Sequence, residues 1–126
     1  MLYNQNWNIP ANPVRETLLR AADLMEQHGY ARGIRLSKSG LYGNKVGSMC
    51  FLGAVNAAQG DAEGLDTELT KDCSIAFCEA VGVEYGSIYP THTAANWNNT
   101  HEGPEVIKAM RLAAELVVAK EKVDAV

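Results

Sequence analysis

The chain has 126 residues, of which 47% are hydrophobic and 21% charged, so one folded domain spanning residues 1–126 is expected. No apolar run approaches the roughly 20 residues of a membrane span, and the net charge of −4 argues against binding nucleic acid through phosphate contacts. An N-terminus without secretory-signal features and an odd count of three cysteines favour a cytoplasmic location.

The first predicted helix follows Asn12 in the stretch NPVRETLLRAADLMEQHG. Asn12 is a favourable N-cap, and Pro13 suits the first helical position. Gly29 suits the residue that closes the last turn. Apolar residues recur at helical spacing between these limits, so a helix is expected from Pro13 to about residue 28.

The glycine-rich stretch that follows, here called the basic segment, covers residues 30–47. Its glycines break a helix, while its apolar and aromatic residues suit either a loop or a short β-hairpin. The segment also concentrates positive charge. Residues 1–48 carry six Lys/Arg against three Asp/Glu, a net charge of +3, whereas residues 49–126 carry five against twelve, a net charge of −7.

Three further helices are predicted downstream. Ser48 is expected to cap a short apolar helix that Gly60 ends, and this helix should be central because it is apolar nearly all round. A third helix is capped by Asp66 or Thr67 and closed by Gly82.

Residues 83–103 are predicted to be irregular, with at most one helical turn. A fourth helix should start at Pro104 and fray after Lys120. The expected fold is therefore an all-α, single-domain bundle of four main helices, with a Gly-rich loop or short β-hairpin inserted at about 30–47.

Both tryptophans of the chain occur in the tripeptide NWN, at residues 6–8 and 96–98. Each copy stands a few residues before a proline that opens a predicted helix. Trp7 and Trp97 are therefore expected to be at least half buried against the first turn of the following helix. The alternative is that the two copies share one polar and aromatic surface.

The stretches LLRAADLMEQHGY, CFLGAVNAA and NWNN followed by EVIKAMRLAAEL together resemble a family of small helical proteins of unknown function from actinobacteria and their phages. The resemblance extends from about residue 14 to residue 118. It implies a helical fold and a phage or actinobacterial origin, and it implies no activity.

Two sets of residues are candidate sites. The first is a basic and aromatic partner-binding surface on a helical frame, and its members are Arg32, Arg35, Lys38, Tyr42 and Lys45. The second is an alternative polar site whose spacing matches no recognised metal pattern, and its members are His92, Asn96, Asn98, Asn99, His101 and Glu102. No catalytic residue, metal or cofactor is predicted.

The leading functional hypothesis is a non-enzymatic protein-binding module, such as a phage accessory protein that acts on a host component. Its partner would be a host protein or a second copy of the chain. The first alternative is an enzyme that acts on a small substrate through the region from His92 to Glu102. The second alternative, a nucleic-acid-binding helical protein, ranks last because no predicted recognition helix is basic.

Overall fold

The computed structural model describes residues 12–30, 41–42, 45–46, 49–60, 67–86 and 90–124. For residues 41–42, 45–46 and 120–124 it describes the backbone only. Five helices and two short strands lie in these residues: α1 Pro13–His28, β1 Leu41–Tyr42, β2 Lys45–Val46, α2 Phe51–Ala58, α3 Glu68–Val81, α4 Pro90–Asn99 and α5 Gly103–Asp124. The described part of the chain is thus predominantly helical.

Helix α1 has the limits that its capping residues predict. The Asn12 side chain accepts a hydrogen bond from the Arg15 N–H at 3.0 Å, and Pro13 is the first helical residue. Gly29 ends the helix with a φ of 104°, a conformation that glycine adopts without strain. Its N–H still donates to the Met25 carbonyl, at 2.8 Å.

The basic segment leaves α1 and returns to the main body at neighbouring points. Tyr30 and Met49 form a parallel β-bridge, and the Met49 N–H donates to the Gly29 carbonyl at 2.8 Å. Between these ends, β1 and β2 pair antiparallel, with Leu41 opposite Val46. The described part of the segment is therefore a short pair of strands on a helical frame.

Helix α2 is central, as predicted, and all its residues except Ala57 are buried. The prediction that Ser48 caps this helix is wrong, because the helix begins later, at Phe51. Cys50 is the N-cap instead, and its sulfur accepts from the Gly53 N–H at 3.4 Å. Ser48 itself lies outside the described residues.

Helix α3 is capped by Thr67, one of its two predicted caps. The Thr67 hydroxyl accepts from the Thr70 N–H at 3.1 Å. Gly82 closes the helix in the left-handed conformation, with a φ of 74°.

The prediction of an irregular region at 83–103 is wrong for residues 90–99, which form helix α4, and holds for residues 83–86. Its buried residues Pro90, Ala94 and Asn98 are four apart and so lie on one face of the helix. This fully buried face is narrow, and one of its three members is polar. Tertiary packing therefore forms a helix that the apolar pattern does not indicate.

Helix α5 begins at Gly103, one residue before the predicted start, and its backbone stays helical to Asp124, past the predicted fraying point at Lys120. It packs against α1 and α3, while α2 lies against α1, α3 and α4. Phe51 of α2 and Phe77 of α3 are in contact in the core, with ring centroids 4.4 Å apart. The four predicted helices are therefore present as α1, α2, α3 and α5, and α4 is a fifth helix that was not predicted.

Candidate functional site

Of the predicted partner-binding residues, the structure positions Tyr42 and Lys45. Their Cα atoms are register partners in β1 and β2. Arg32, Arg35 and Lys38 lie outside the described residues, so the partner-binding surface stays a prediction. What the structure adds is the anchoring of the segment that carries these residues, through the bridge between Tyr30 and Met49.

Arginines of the described helices are engaged within the protein. Arg15 lies 3.6 Å from the Glu16 carboxylate, and Arg20 donates to the Ala58 carbonyl at 3.3 Å. Arg111 of α5 binds Asp23 at 3.0 Å and Glu26 at 2.7 Å, which joins α5 to α1. All three arginines of the described helices thus already have partners within the protein.

Residues of the alternative polar site divide between the two sides of α4. Asn98 is fully buried, whereas His92 and Asn96 are exposed. Glu102 is also exposed, and its N–H donates to the Glu105 carboxylate at 3.0 Å, which satisfies one N–H group at the start of α5. Asn98 is therefore on the opposite side of α4 from His92 and Asn96.

Asn98 holds the start of α2 in place. Its side-chain Oδ1 accepts from the Phe51 N–H at 3.0 Å, and its Nδ2 donates to Asn99 Oδ1 at 3.1 Å. The first N–H groups of a helix lack partners within the helix. Asn98 supplies one such partner from a different helix, so its amide links α4 to α2.

Tyr30 extends this junction to the end of α1. Its hydroxyl hydrogen is shared between the main-chain carbonyls of Asn98 and His101, the second at 2.7 Å. The base of the Tyr30 side chain packs closely on Gly103, where an added Cβ would lie 2.8 Å from Tyr30 Cβ. Only glycine fits at this contact without a shift. We call Tyr30, Asn98 and His101 the α4 junction.

Trp97 is at least half buried, as expected, but it lies inside α4, whereas the sequence predicts a position outside a helix and against the first turn of the next one. The indole is partly buried, and its edge meets Phe77, with ring centroids 5.4 Å apart at 82°. Its face stacks on His101 at 3.5 Å, with the rings 8° from parallel. His101 Nδ1 also lies 2.8 Å from the Trp97 carbonyl, at the end of α4. Trp7 lies outside the described residues.

A model of a family of unknown function, DUF6197, matches residues 10–116. This chain belongs to the DUF6197 family. The matched region contains the α4 junction and helices α1 to α4, together with most of α5. No curated protein and no solved structure matches the chain.

A second buried polar cluster of this DUF6197 protein was not predicted. Asn56 of α2 is fully buried, and its Oδ1 accepts from the Thr70 hydroxyl at 2.6 Å. Gln59 donates to the same hydroxyl at 2.8 Å and accepts from Thr67 at 2.6 Å. We call these four residues the Asn56 cluster. The sequence feature that could have indicated this cluster is Asn56 itself, a single asparagine in an otherwise apolar helix.

The buried thiols of α3 have the properties of core groups. Burial, with a smaller contribution from Asp72, raises the pKa of Cys73 to about 12. Burial and then Glu79 raise the pKa of Cys78 to about 11. Both thiols are therefore protonated at neutral pH, and a protonated thiol is a poor nucleophile.

Among the residues that the structure describes, no three His, Cys, Asp or Glu side chains are grouped as a metal ion would require. None of the helices in the described ranges is long and apolar enough to cross a membrane.

Proposed function

We propose that this protein is a non-enzymatic protein-binding module whose basic segment contacts an acidic partner. The observation that carries the proposal is the anchoring of the segment's two ends, by the bridge between Tyr30 and Met49 and the hydrogen bond from Met49 to Gly29. A loop held at both ends by a helical frame is a common position for binding residues.

The distribution of charge along the chain also supports the basic segment as the contact surface. Four of the chain's eleven Lys/Arg residues lie in the basic segment, at positions 32, 35, 38 and 45. In the helices, every acidic side chain that the structure describes, up to Glu115, is exposed, and Arg15, Arg20 and Arg111 have partners within the protein. An acidic partner would therefore be attracted to the basic segment and repelled by much of the remaining surface.

The resemblance to proteins of actinobacteria and their phages supports a finer form of the proposal. In that form the protein is a phage accessory protein of the cytoplasm, which acts on a host component by occluding or recruiting it.

The enzyme alternative has less support from the geometry. A small-substrate site needs polar groups that converge on the substrate. Asn98 is buried and hydrogen-bonded to Phe51, and the His101 ring stacks on Trp97, so both act in packing. His92 and Asn96 are on the exposed side of α4.

The experiment is capture of partners from the native host by the purified protein. The test variant carries Arg32→Glu, Arg35→Glu and Lys38→Glu. The matched control carries Arg15→Glu, Lys71→Glu and Lys122→Glu, which changes the net charge equally but outside the basic segment. We expect the test variant to lose the partner while the control keeps it, and we expect high salt to weaken capture by the wild type.

Circular dichroism and thermal melting check that both variants fold. If the test variant captures the same partner with the same salt dependence, the basic segment is not the contact surface. Loss of the captured material after nuclease treatment would instead favour the nucleic-acid alternative.

A further inference from the structure

Helix α5 is apolar on two sides. Its inner face is buried in the core through Val106, Ala109, Met110 and Ala113. On its outer face, Leu112 is 42% exposed and Leu116 is 46% exposed, and no other large hydrophobic side chain in the described ranges is so exposed. These two leucines are one helical turn apart, so they form a continuous apolar strip.

Charged residues accompany this strip in a defined arrangement. Lys108 and Glu115 are both exposed and are seven residues apart, which is nearly two full turns. They therefore lie on the same flank of the outer face, displaced by about 20° around the helix. Leu112 lies between them along the helix axis. One flank thus carries a positive charge before Leu112 and a negative charge after it.

We infer that a second copy of this chain docks on the outer face of α5, with the two helices antiparallel and the two-fold axis beside Leu112. In such a pair, each flank meets the same flank of the partner with the chain direction reversed. Lys108 then lies at the level of the partner's Glu115, and the symmetry repeats this contact. The two copies of Leu112 meet near the axis, and Leu116 lies about 7 Å from it, at the level of residue 107 of the other copy.

The relative direction of the two helices decides which charges meet. In a parallel pair, opposite flanks would meet, so Lys108 and Glu115 would not face each other. The inference concerns a different surface and a different partner from those of the proposed function.

The test is to exchange the charges of Lys108 and Glu115, first one at a time and then together. Sedimentation velocity at low ionic strength, over a wide concentration range, gives the dimer dissociation constant of the wild type. Lys108→Glu alone and Glu115→Lys alone each create two like-charge contacts, so we expect each to weaken the dimer by about tenfold or more. The double variant restores opposite charges, and we expect its dissociation constant to return to within about threefold of the wild type.

Two further variants complete the design. Leu112→Asp should abolish dimerisation, because it places two carboxylates beside the two-fold axis. Glu84→Lys, which changes an exposed charge outside the helices, should leave the dimer unchanged. Leu112 and Glu84 are exposed, so both variants should fold, which circular dichroism checks. The Arg32, Arg35 and Lys38 variant should dimerise like the wild type, so this test is independent of the proposed function.

A wild type that stays monomeric at millimolar concentration would overturn the inference, and the α5 strip would then be left for a different partner. Single variants that dimerise normally would also overturn it. So would a double variant that remains as weak as the single ones, since that result means Lys108 and Glu115 do not face each other.

Discussion

Asn56 and Asn98 are both fully buried, but their side chains bind different kinds of partner in the interior of this protein. Asn98 accepts a hydrogen bond from a main-chain group, the Phe51 N–H. Asn56 accepts from a side chain, the Thr70 hydroxyl. The first bond positions the start of a helix, and the second belongs to a cluster that continues to the exposed residue Thr67.

The difference matters because the two partners respond differently when the asparagine is removed. The Phe51 N–H is fixed by the backbone and would stay buried without this acceptor. The Thr70 hydroxyl can rotate, and the Thr67 hydroxyl is already within 3.1 Å of it. A buried group that loses its partner destabilises the fold more than one that finds another. Asn98 should therefore be the more important of the two.

The largest effect is expected for Asn98→Ala. It leaves the Phe51 N–H without its acceptor and creates a small cavity, so we expect the free energy of unfolding to fall by about 3 kcal/mol. Asn56→Ala is the matched comparison and should lower it by about 1.5 kcal/mol, because Thr70 keeps a hydrogen-bond partner. Urea denaturation of both variants measures the difference. Equal losses would show that the type of partner does not decide the effect.

A smaller effect is expected for Tyr30→Phe, which keeps the packed ring and removes only the hydroxyl. The carbonyls of Asn98 and His101 lose their shared donor, so we expect a loss of about 1 to 2 kcal/mol. Tyr85→Phe is the control and should change little, because the hydrogen bond that its hydroxyl donates to Glu79, at 3.2 Å, is exposed to solvent. If both variants melt alike, the α4 junction is not held by the Tyr30 hydroxyl.

Sequence reasoning located the parts of the fold that depend on local chemistry. Asn12, Pro13, Gly29, Thr67 and Gly82 act at helix ends through their own backbone or side-chain properties, so their roles could be read from their neighbours in the chain. These residues mark the limits of α1 and α3, which the structure confirms.

The parts that depend on distant contacts could not be predicted in this way. Helix α4 has a narrow core face that contains Asn98, and the partner of Asn98 is 47 positions away in the chain. The position of Trp97 inside a helix has the same origin. Of the two predicted sites, the polar one proves to be divided between the inside and outside of α4, and the basic one stays a prediction.

The Cys73 thiol is a third buried polar group, and it differs from the two asparagines because it can ionise. Burial is the main cause of its raised pKa. Its pKa in the folded protein is about 12, against an ordinary value of 9.0. Well below pH 9 the thiol is protonated in both states, so its ionisation has no effect on stability. Above pH 9 the unfolded chain releases the proton first, so stability falls as pH rises toward 12.

Cys73→Ala should therefore reduce the dependence of stability on pH in this range. We expect the wild type to lose about 1 kcal/mol more than the variant between pH 8 and pH 10, with Cys50→Ala as a control for removing a thiol. Urea denaturation at each pH measures the slope. Identical slopes for the wild type and Cys73→Ala would mean that this thiol does not resist ionisation in the folded protein.

The smallest effect is expected for a surface contact, the ion pairs by which Arg111 joins α5 to Asp23 and Glu26 of α1. Water and salt screen these charges, and holding the long side chain in one conformation offsets part of the attraction. We expect Arg111→Gln to lower the free energy of unfolding by about 0.5 kcal/mol at low salt, and by less at high salt. Lys71→Gln removes one cation from α3 and controls for the change in net charge. A loss for Arg111→Gln as large as that for Asn98→Ala would mean that this surface contact links helices as strongly as the buried α4 junction does.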